Sequence, residues 1–122
     1  MLEATFRTKF LKHLRNKGWF CQTIETSTGN GVPDAVIIKN GVTHWLEFKV
    51  GSSAKLRTEQ YAWHTLALRH NVSIYTVCYN PKTRRVSIFD FSRCKKTYQK
   101  TGWKLEEPDF EDTMTNIVAL VT

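Results

Sequence analysis

The sequence of 122 residues lacks long apolar runs and paired cysteines. Its apolar stretches are only a few residues long, so we expect neither a membrane-spanning helix nor a signal peptide. The three cysteines are widely spaced, with no CxxC pair and no histidine at zinc-finger spacing. We therefore expect reduced thiols and a cytoplasmic setting, or the interior of the host cell if the chain is viral. There is no repeat, and the chain is long enough for one domain only.

Negative charge is scarce outside the C-terminal part of the chain. Residues 1–105 contain all 18 Lys and Arg but six of the 11 Asp and Glu, and the other five acids lie within residues 106–112. The formal net charge of the whole chain is +7. This balance predicts a polyanionic partner, although DNA, RNA, acidic proteins and membrane surfaces are all compatible with it.

Apolar residues three and four positions apart predict a first helix from Leu2 to Lys17, ending before Gly18. A second helix is predicted to run to His70 from an N-cap at Thr58. Strands are predicted at residues 19–24, 35–38, 42–50, 72–79 and 85–91. The order α-β-β-β-α-β-β is typical of an α/β domain with a mixed β-sheet flanked by helices. We expect a core over about residues 1–92 and a basic, then acidic, extension over about residues 93–122, within a single domain.

The strongest local signal is the dipeptide Asn40-Gly41 between two strand-like runs. Asn-Gly favours a two-residue type I′ turn, which fixes the register of the hairpin. In that register Asp34 faces Glu47 across the two strands, and Lys49 shares their side of the sheet. The hairpin therefore predicts two carboxylates and a lysine close together on one face.

Two facing carboxylates repel each other unless a proton or a cation lies between them. Carboxylate oxygens suit Mg²⁺, for which Mn²⁺ can substitute, and such ions readily bind phosphate oxygens. Lys49 could stabilise charge on a phosphoryl oxygen or orient and deprotonate an attacking water. The alternative interpretation is a surface hairpin that carries an ordinary Glu and Lys.

Three short runs of the sequence resemble a known enzyme family. Gly31-Val32-Pro33-Asp34, Glu47-Phe48-Lys49 and Leu56-Arg57-Thr58-Glu59-Gln60 are similar to the G-x-P-D, E-x-K and helical Gln of the VRR-Nuc branch of PD-(D/E)XK nucleases. The match covers roughly residues 1–80, and in outline it also resembles archaeal Holliday-junction resolvases. The resemblance implies a restriction-endonuclease-like core, Mg²⁺-dependent hydrolysis of DNA with 5′-phosphate and 3′-hydroxyl products, and homodimers that act on junctions, flaps or ends.

The resemblance also implies roles for individual residues. Asp34 and Glu47 would be metal ligands, Lys49 the catalytic lysine, and Gln60 a catalytic helical residue that reaches toward the metal site or a substrate phosphate. Glu3 is the candidate for a third ligand and Glu25 is its competitor. Salt bridging beside the core is an equal alternative for either glutamate.

Substrate contacts are expected from two further segments. The loop 26–31 could place Thr28 and Asn30 against a phosphate, with Gly29 and Gly31 permitting close approach, or it could be simply a loop. The basic stretch contributes Arg93, Lys95 and Lys96 as candidate DNA contacts. We interpret the histidines as structural, although His64 follows Gln60 by one helical turn. Trp45 is expected to pack under a helix rather than to stack on a base.

The preferred function is therefore that of a metal-dependent deoxyribonuclease, with branched DNA as the expected substrate. One alternative is a nucleic-acid-binding module that keeps the fold without catalysis. Another is a protein-interaction domain that uses its acidic C-terminal stretch, but this leaves the facing carboxylates unexplained.

Overall fold

The computed structural model describes residues 2–25, 31–90 and 95–100, and the side chains of residues 85, 90 and 95–100 lie outside that description. The elements are α1 (Glu3–Asn16), β1 (Phe20–Thr23), β2 (Ala35–Lys39), β3 (Val42–Val50), α2 (Thr58–Leu68), β4 (Ile74–Asn80), β5 (Arg85–Asp90) and β6 (Lys95–Lys100). None of the helices in this part of the chain is long and apolar enough to cross a membrane.

The strands form one mixed sheet in sequential order from β1 to β6. Neighbouring strands are antiparallel except β3 and β4, which are parallel. A parallel pair needs a crossover connection, and α2 provides it. The predicted mixed sheet flanked by helices is thus confirmed.

The β2–β3 hairpin has the predicted register. Asn40 and Gly41 both have positive φ, at 54° and 78°, as a type I′ turn requires. Ala35 pairs with Leu46 and Lys39 pairs with Val42. The turn chemistry of two residues therefore determines which side chains of β3 face which side of the sheet.

The two helices cover opposite faces of the sheet. Side chains alternate between these faces along β3, so neighbouring residues of the strand pack against different helices. On one face, the ring of Phe48 lies 5.8 Å from that of Phe6 and 5.3 Å from that of Phe10, both in α1. On the other face, the ring of Trp45 lies 5.3 Å from that of Trp63 in α2, as expected for packing under a helix. The main core lies under α1, and α2 covers the face that carries the candidate site.

The structure differs from the sequence prediction mainly in α2 and after β5. Thr58 is the first residue of α2 rather than its N-cap, which is Arg57, and the helix ends at Leu68 rather than His70. The sixth strand, β6, was not predicted, and it extends the sheet into the stretch interpreted from sequence as a basic extension. The apolar end at residues 114–121 lies outside the described residues.

Candidate metal and phosphodiester site

Asp34 lies immediately before β2, and the hairpin register places it opposite Glu47. Its Oδ2 atom accepts a hydrogen bond of 2.8 Å from the backbone N–H of Phe48. This bond to the backbone of β3 fixes the Asp34 carboxylate, since Phe48 itself is anchored in the core by its buried ring. The facing carboxylates predicted from the Asn-Gly turn are therefore brought together.

Glu3 joins these two residues from the first turn of α1. One carboxylate oxygen from each of Glu3, Asp34 and Glu47 lies within 4.8 Å of the other two, and we call these three residues the acidic cluster. Glu47 is buried, Asp34 is half-buried and Glu3 is exposed at the rim. Within residues 2–25, 31–90 and 95–100, Glu25 belongs to no such group.

The acidic cluster is electrostatically unfavourable without a positive charge. The pKa of Glu47 is raised to about 9, first by burial and then by the Asp34 carboxylate through a side-chain hydrogen bond and its charge. Burial and the charge of Asp34 also raise the pKa of Glu3. The Oε1 atom of Glu47 is buried and accepts no hydrogen bond from any N–H or hydroxyl group in the described part of the chain. A shared proton or a cation would relieve this arrangement.

The donor set fits a hard divalent cation. Three carboxylates supply only oxygen ligands, and the exposed rim at Glu3 leaves one side open to water or a phosphate oxygen. The buried Oε1 of Glu47 is a ligand atom that the protein's own hydrogen bonds do not satisfy. These residues can therefore hold Mg²⁺ or Mn²⁺.

Lys49 and Gln60 form a hydrogen-bonded network beside the acidic cluster. The Lys49 Nζ donates to Gln60 Oε1 at 2.8 Å, and Gln60 Nε2 donates to Glu47 Oε2 at 3.2 Å. The same Gln60 oxygen accepts the backbone N–H of Arg57 at 2.9 Å. Gln60 therefore holds the side chains of Lys49 and Glu47 in position while it also caps the start of α2.

Gly31 fixes the loop before Asp34 against α2. The residue is buried and has a φ of +78°. A Cβ atom there would overlap the backbone carbonyl of Glu59 and lie 2.7 Å from the backbone nitrogen of Gln60. Gly31 thus permits close approach to the backbone of α2, whereas the sequence predicted close approach to a phosphate.

Two arginines near the acidic cluster were missed by the sequence analysis. The Nη1 atom of Arg7, in α1, lies 3.9 Å from Asp34 Oδ1. The charge of Arg57 offsets a small part of the rise in the pKa of Glu3. The position of Arg7, one helical turn after Glu3, was the available signal, because such residues share a helix face.

His64 lies one turn after Gln60 and is completely buried. Burial, and secondarily the charge of Lys49, lowers its pKa to about 4. The ring is therefore neutral at physiological pH, and the residue adds no positive charge to the site.

The residues predicted to bind substrate cannot be placed relative to the acidic cluster. Thr28, Asn30 and Arg93 lie outside the described residues. For Lys95 and Lys96 only the backbone is described, as part of β6, where they pair with Asp90 and Phe89.

The fold is similar to that of a solved DNA-processing enzyme. Hjc from Archaeoglobus fulgidus, a Holliday junction resolvase from an archaeal hyperthermophile, superposes with a TM-score of 0.56 at 16% sequence identity. The match covers 81% of this chain and 88% of that one. No protein-family model and no curated protein sequence matches the chain. The likeness confirms the restriction-endonuclease-like fold that was expected from the sequence.

Proposed function

We propose that this chain is a divalent-metal-dependent nuclease that hydrolyses phosphodiester bonds in DNA. The observation that carries the proposal is the convergence of three carboxylates within 4.8 Å beside the Lys49–Gln60 hydrogen bond. A purely structural role does not explain why a buried glutamate faces two other acids. The fold shared with Hjc supports the same reaction class.

Each residue has a distinct role in this proposal. Glu47 and Asp34 would hold Mg²⁺ or Mn²⁺, with Glu3 as the third carboxylate ligand. The metal, when bound, lowers the pKa of water and neutralises phosphate oxygens. Lys49 would place its ammonium group against the phosphate as negative charge develops, and Gln60 would orient Lys49. Arg7 beside Asp34 would add positive charge at the substrate side.

We propose branched DNA as the substrate class. We also propose that residues 1–122 form a single domain and that the enzyme is a homodimer. The support is the fold shared with a Holliday junction resolvase together with the charge of +7. The sequence motifs resemble those of the VRR-Nuc branch.

The proposal is tested by incubating the purified chain with four-way-junction, flapped, duplex and single-stranded DNA in Mg²⁺, Mn²⁺ or EDTA. We expect cleavage in either metal, no cleavage in EDTA, and loss of cleavage in the Asp34→Asn variant. DNA binding without cleavage in any metal would instead identify a non-catalytic nucleic-acid-binding module.

A further inference from the structure

Arg7 brings a positive charge to the acidic cluster through a contact that does not fix its side chain. The Nη1 atom lies 3.9 Å from Asp34 Oδ1, which is short enough for an ion pair and too long for a hydrogen bond. The side chains of Arg7 and Asp34 are 30% and 21% exposed. The contact therefore balances charge, and the guanidinium group can turn toward another anion that arrives from solvent.

The position of Asp34 does not depend on Arg7. The Oδ2 atom of Asp34 accepts a hydrogen bond of 2.8 Å from the backbone N–H of Phe48, and the ring of Phe48 is completely buried. Loss of the Arg7 side chain would therefore leave the Asp34 carboxylate anchored to β3. Arg7 contributes charge to Asp34 and leaves its positioning to the backbone.

The charge of Arg7 acts where a cation would act. Burial and the charge of Asp34 raise the pKa of Glu3, and the charges of Lys49 and Arg7 offset part of that rise. Arg7 thus stabilises negative charge on two of the three carboxylates in the acidic cluster. A divalent cation held by the same carboxylates is repelled by Arg7, so the guanidinium group and the cation compete for them.

Arg7 also lies on the side of the acidic cluster that a phosphate can reach. Glu3 is at the exposed rim, and Arg7 follows it by one turn of α1, so the two residues share a helix face. Neighbouring oxygen ligands of Mg²⁺ are about 3 Å apart. A phosphate oxygen that shares the cation with Asp34 would therefore lie within reach of the guanidinium group, which pairs well with phosphate.

We propose that Arg7 couples metal binding to DNA binding by exchanging one anionic partner for another. Its guanidinium group balances Asp34 until a divalent cation does so, and it then binds the DNA phosphate beside the cation. The proposal rests on the proposed action on DNA and deepens it, because it makes the affinity for DNA depend on the occupied metal site. By linkage, Arg7 weakens metal binding in the free protein and strengthens DNA binding in the metal-loaded protein.

The first test measures Mn²⁺ binding without DNA by calorimetric titration. Arg7→Ala should bind Mn²⁺ about five-fold more tightly than the parent chain, because a nearby positive charge has been removed. Arg7→Gln keeps a long side chain without the charge and should show the same gain, whereas Arg7→Lys keeps the charge and should bind like the parent. Unchanged or weaker binding in Arg7→Ala and Arg7→Gln would overturn the exchange and leave Arg7 as a purely structural partner of Asp34.

The second test measures DNA affinity by fluorescence anisotropy in Mg²⁺ and in EDTA. All proteins carry Lys49→Ala, which keeps the three carboxylates and slows cleavage of the labelled junction. Adding Arg7→Ala should weaken binding about ten-fold in Mg²⁺ and about two-fold or less in EDTA. The control is Lys12→Ala, which removes an exposed base of α1 outside the acidic cluster. It should leave Mn²⁺ affinity unchanged and weaken DNA binding by the same factor in both conditions.

The outcomes separate this coupling from the nuclease activity. Equal weakening by Arg7→Ala in Mg²⁺ and EDTA overturns the coupling, even if the parent chain cleaves DNA. A larger loss in Mg²⁺ with no cleavage by the parent in any metal overturns the nuclease activity and leaves metal-controlled DNA binding. Absence of Mn²⁺ binding to the parent overturns both.

Discussion

Glu47 is a residue at which the stability of the fold and its proposed chemistry conflict. Its side chain is 1% exposed, its Oε1 atom has no N–H or hydroxyl donor in the described part of the chain, and its neighbours include two carboxylates. Ionising Glu47 in this environment costs free energy because the desolvated charge is not compensated, and its pKa is raised accordingly. A bound cation would offset that cost, so metal binding and folding are coupled at this side chain.

In EDTA near neutral pH we predict that Glu47→Gln is about as stable as the parent chain, since a pKa of about 9 leaves the parent glutamate protonated there and the amide is also uncharged. The parent should gain about 3 kcal/mol at a Mg²⁺ concentration roughly 100 times its dissociation constant, and the variant should gain almost nothing. Urea unfolding with and without Mg²⁺ measures both effects. The matched control is Glu25→Gln, an exposed acid outside the acidic cluster, which should respond to Mg²⁺ like the parent. Equal responses of all three proteins would show that no metal binds at Glu47.

The second prediction compares Lys49 with Gln60. In the proposal Lys49 acts on the substrate, whereas Gln60 positions Lys49. Lys49→Ala should lower the single-turnover cleavage rate by about two orders of magnitude or more, since it removes a charge that stabilises the transition state. Gln60→Ala leaves that charge but removes its 2.8 Å hydrogen bond, so we expect a smaller loss of rate. Metal affinity should change little in Lys49→Ala. An undiminished rate in Gln60→Ala would show that Lys49 needs no positioning.

The elements differ in how far local sequence determines them. The β2–β3 hairpin was predictable in register because two adjacent residues, Asn40 and Gly41, select the turn. The strand β6, Lys95–Lys100, was not predictable because its sequence, KKTYQK, has almost no apolar residues and no apolar–polar alternation. This segment forms a strand because its backbone pairs with β5, and the sequence of the segment alone does not reveal that pairing.

The residues of the candidate site also differ in how far local sequence determines their position. Asp34, Glu47 and Lys49 lie on one hairpin, so local geometry was enough to bring them together. The approach of Arg7 to Asp34 depends on how α1 packs against the sheet, which is a tertiary contact between distant segments. The role of Gly31 was also hidden, because only the folded chain shows that Gly31 lies against the backbone of α2.

Gly31 allows a test of this loop contact. We predict that Gly31→Ala destabilises the protein by about 2 kcal/mol or more beyond the cost of a positive φ alone, because its Cβ would overlap the backbone of Glu59. The control is Gly18→Ala, where φ is +90° but no atom lies within 4 Å of the added Cβ. That variant should lose only about 1 kcal/mol. Urea unfolding of both proteins gives the comparison, and equal losses would mean that the loop can move away from α2 without cost.

The whole molecule combines a positive surface charge with a locally negative site. Its net charge is +7, yet three acids converge at the acidic cluster. Phosphate would be attracted by the molecule as a whole and repelled at the acidic cluster until a cation neutralises it. The fold that creates this arrangement is shared with Hjc at 16% identity, because a fold depends on buried apolar patterns more than on particular surface residues.

This charge distribution predicts how DNA binding depends on salt. Each phosphate neutralised by Lys or Arg releases condensed counterions, so the logarithm of duplex affinity should fall linearly with the logarithm of salt concentration, by about 0.9 per phosphate. With 18 Lys and Arg in the chain, we expect a slope equivalent to several phosphates. Fluorescence anisotropy of the Glu47→Gln variant with labelled duplex measures it without cleavage. Near neutral pH in EDTA that variant should bind about as tightly as the parent and with nearly the same slope, because the raised pKa of about 9 leaves Glu47 uncharged in the parent as well. A flat salt dependence would contradict DNA binding through the basic surface, even if the acidic cluster binds Mg²⁺ as proposed.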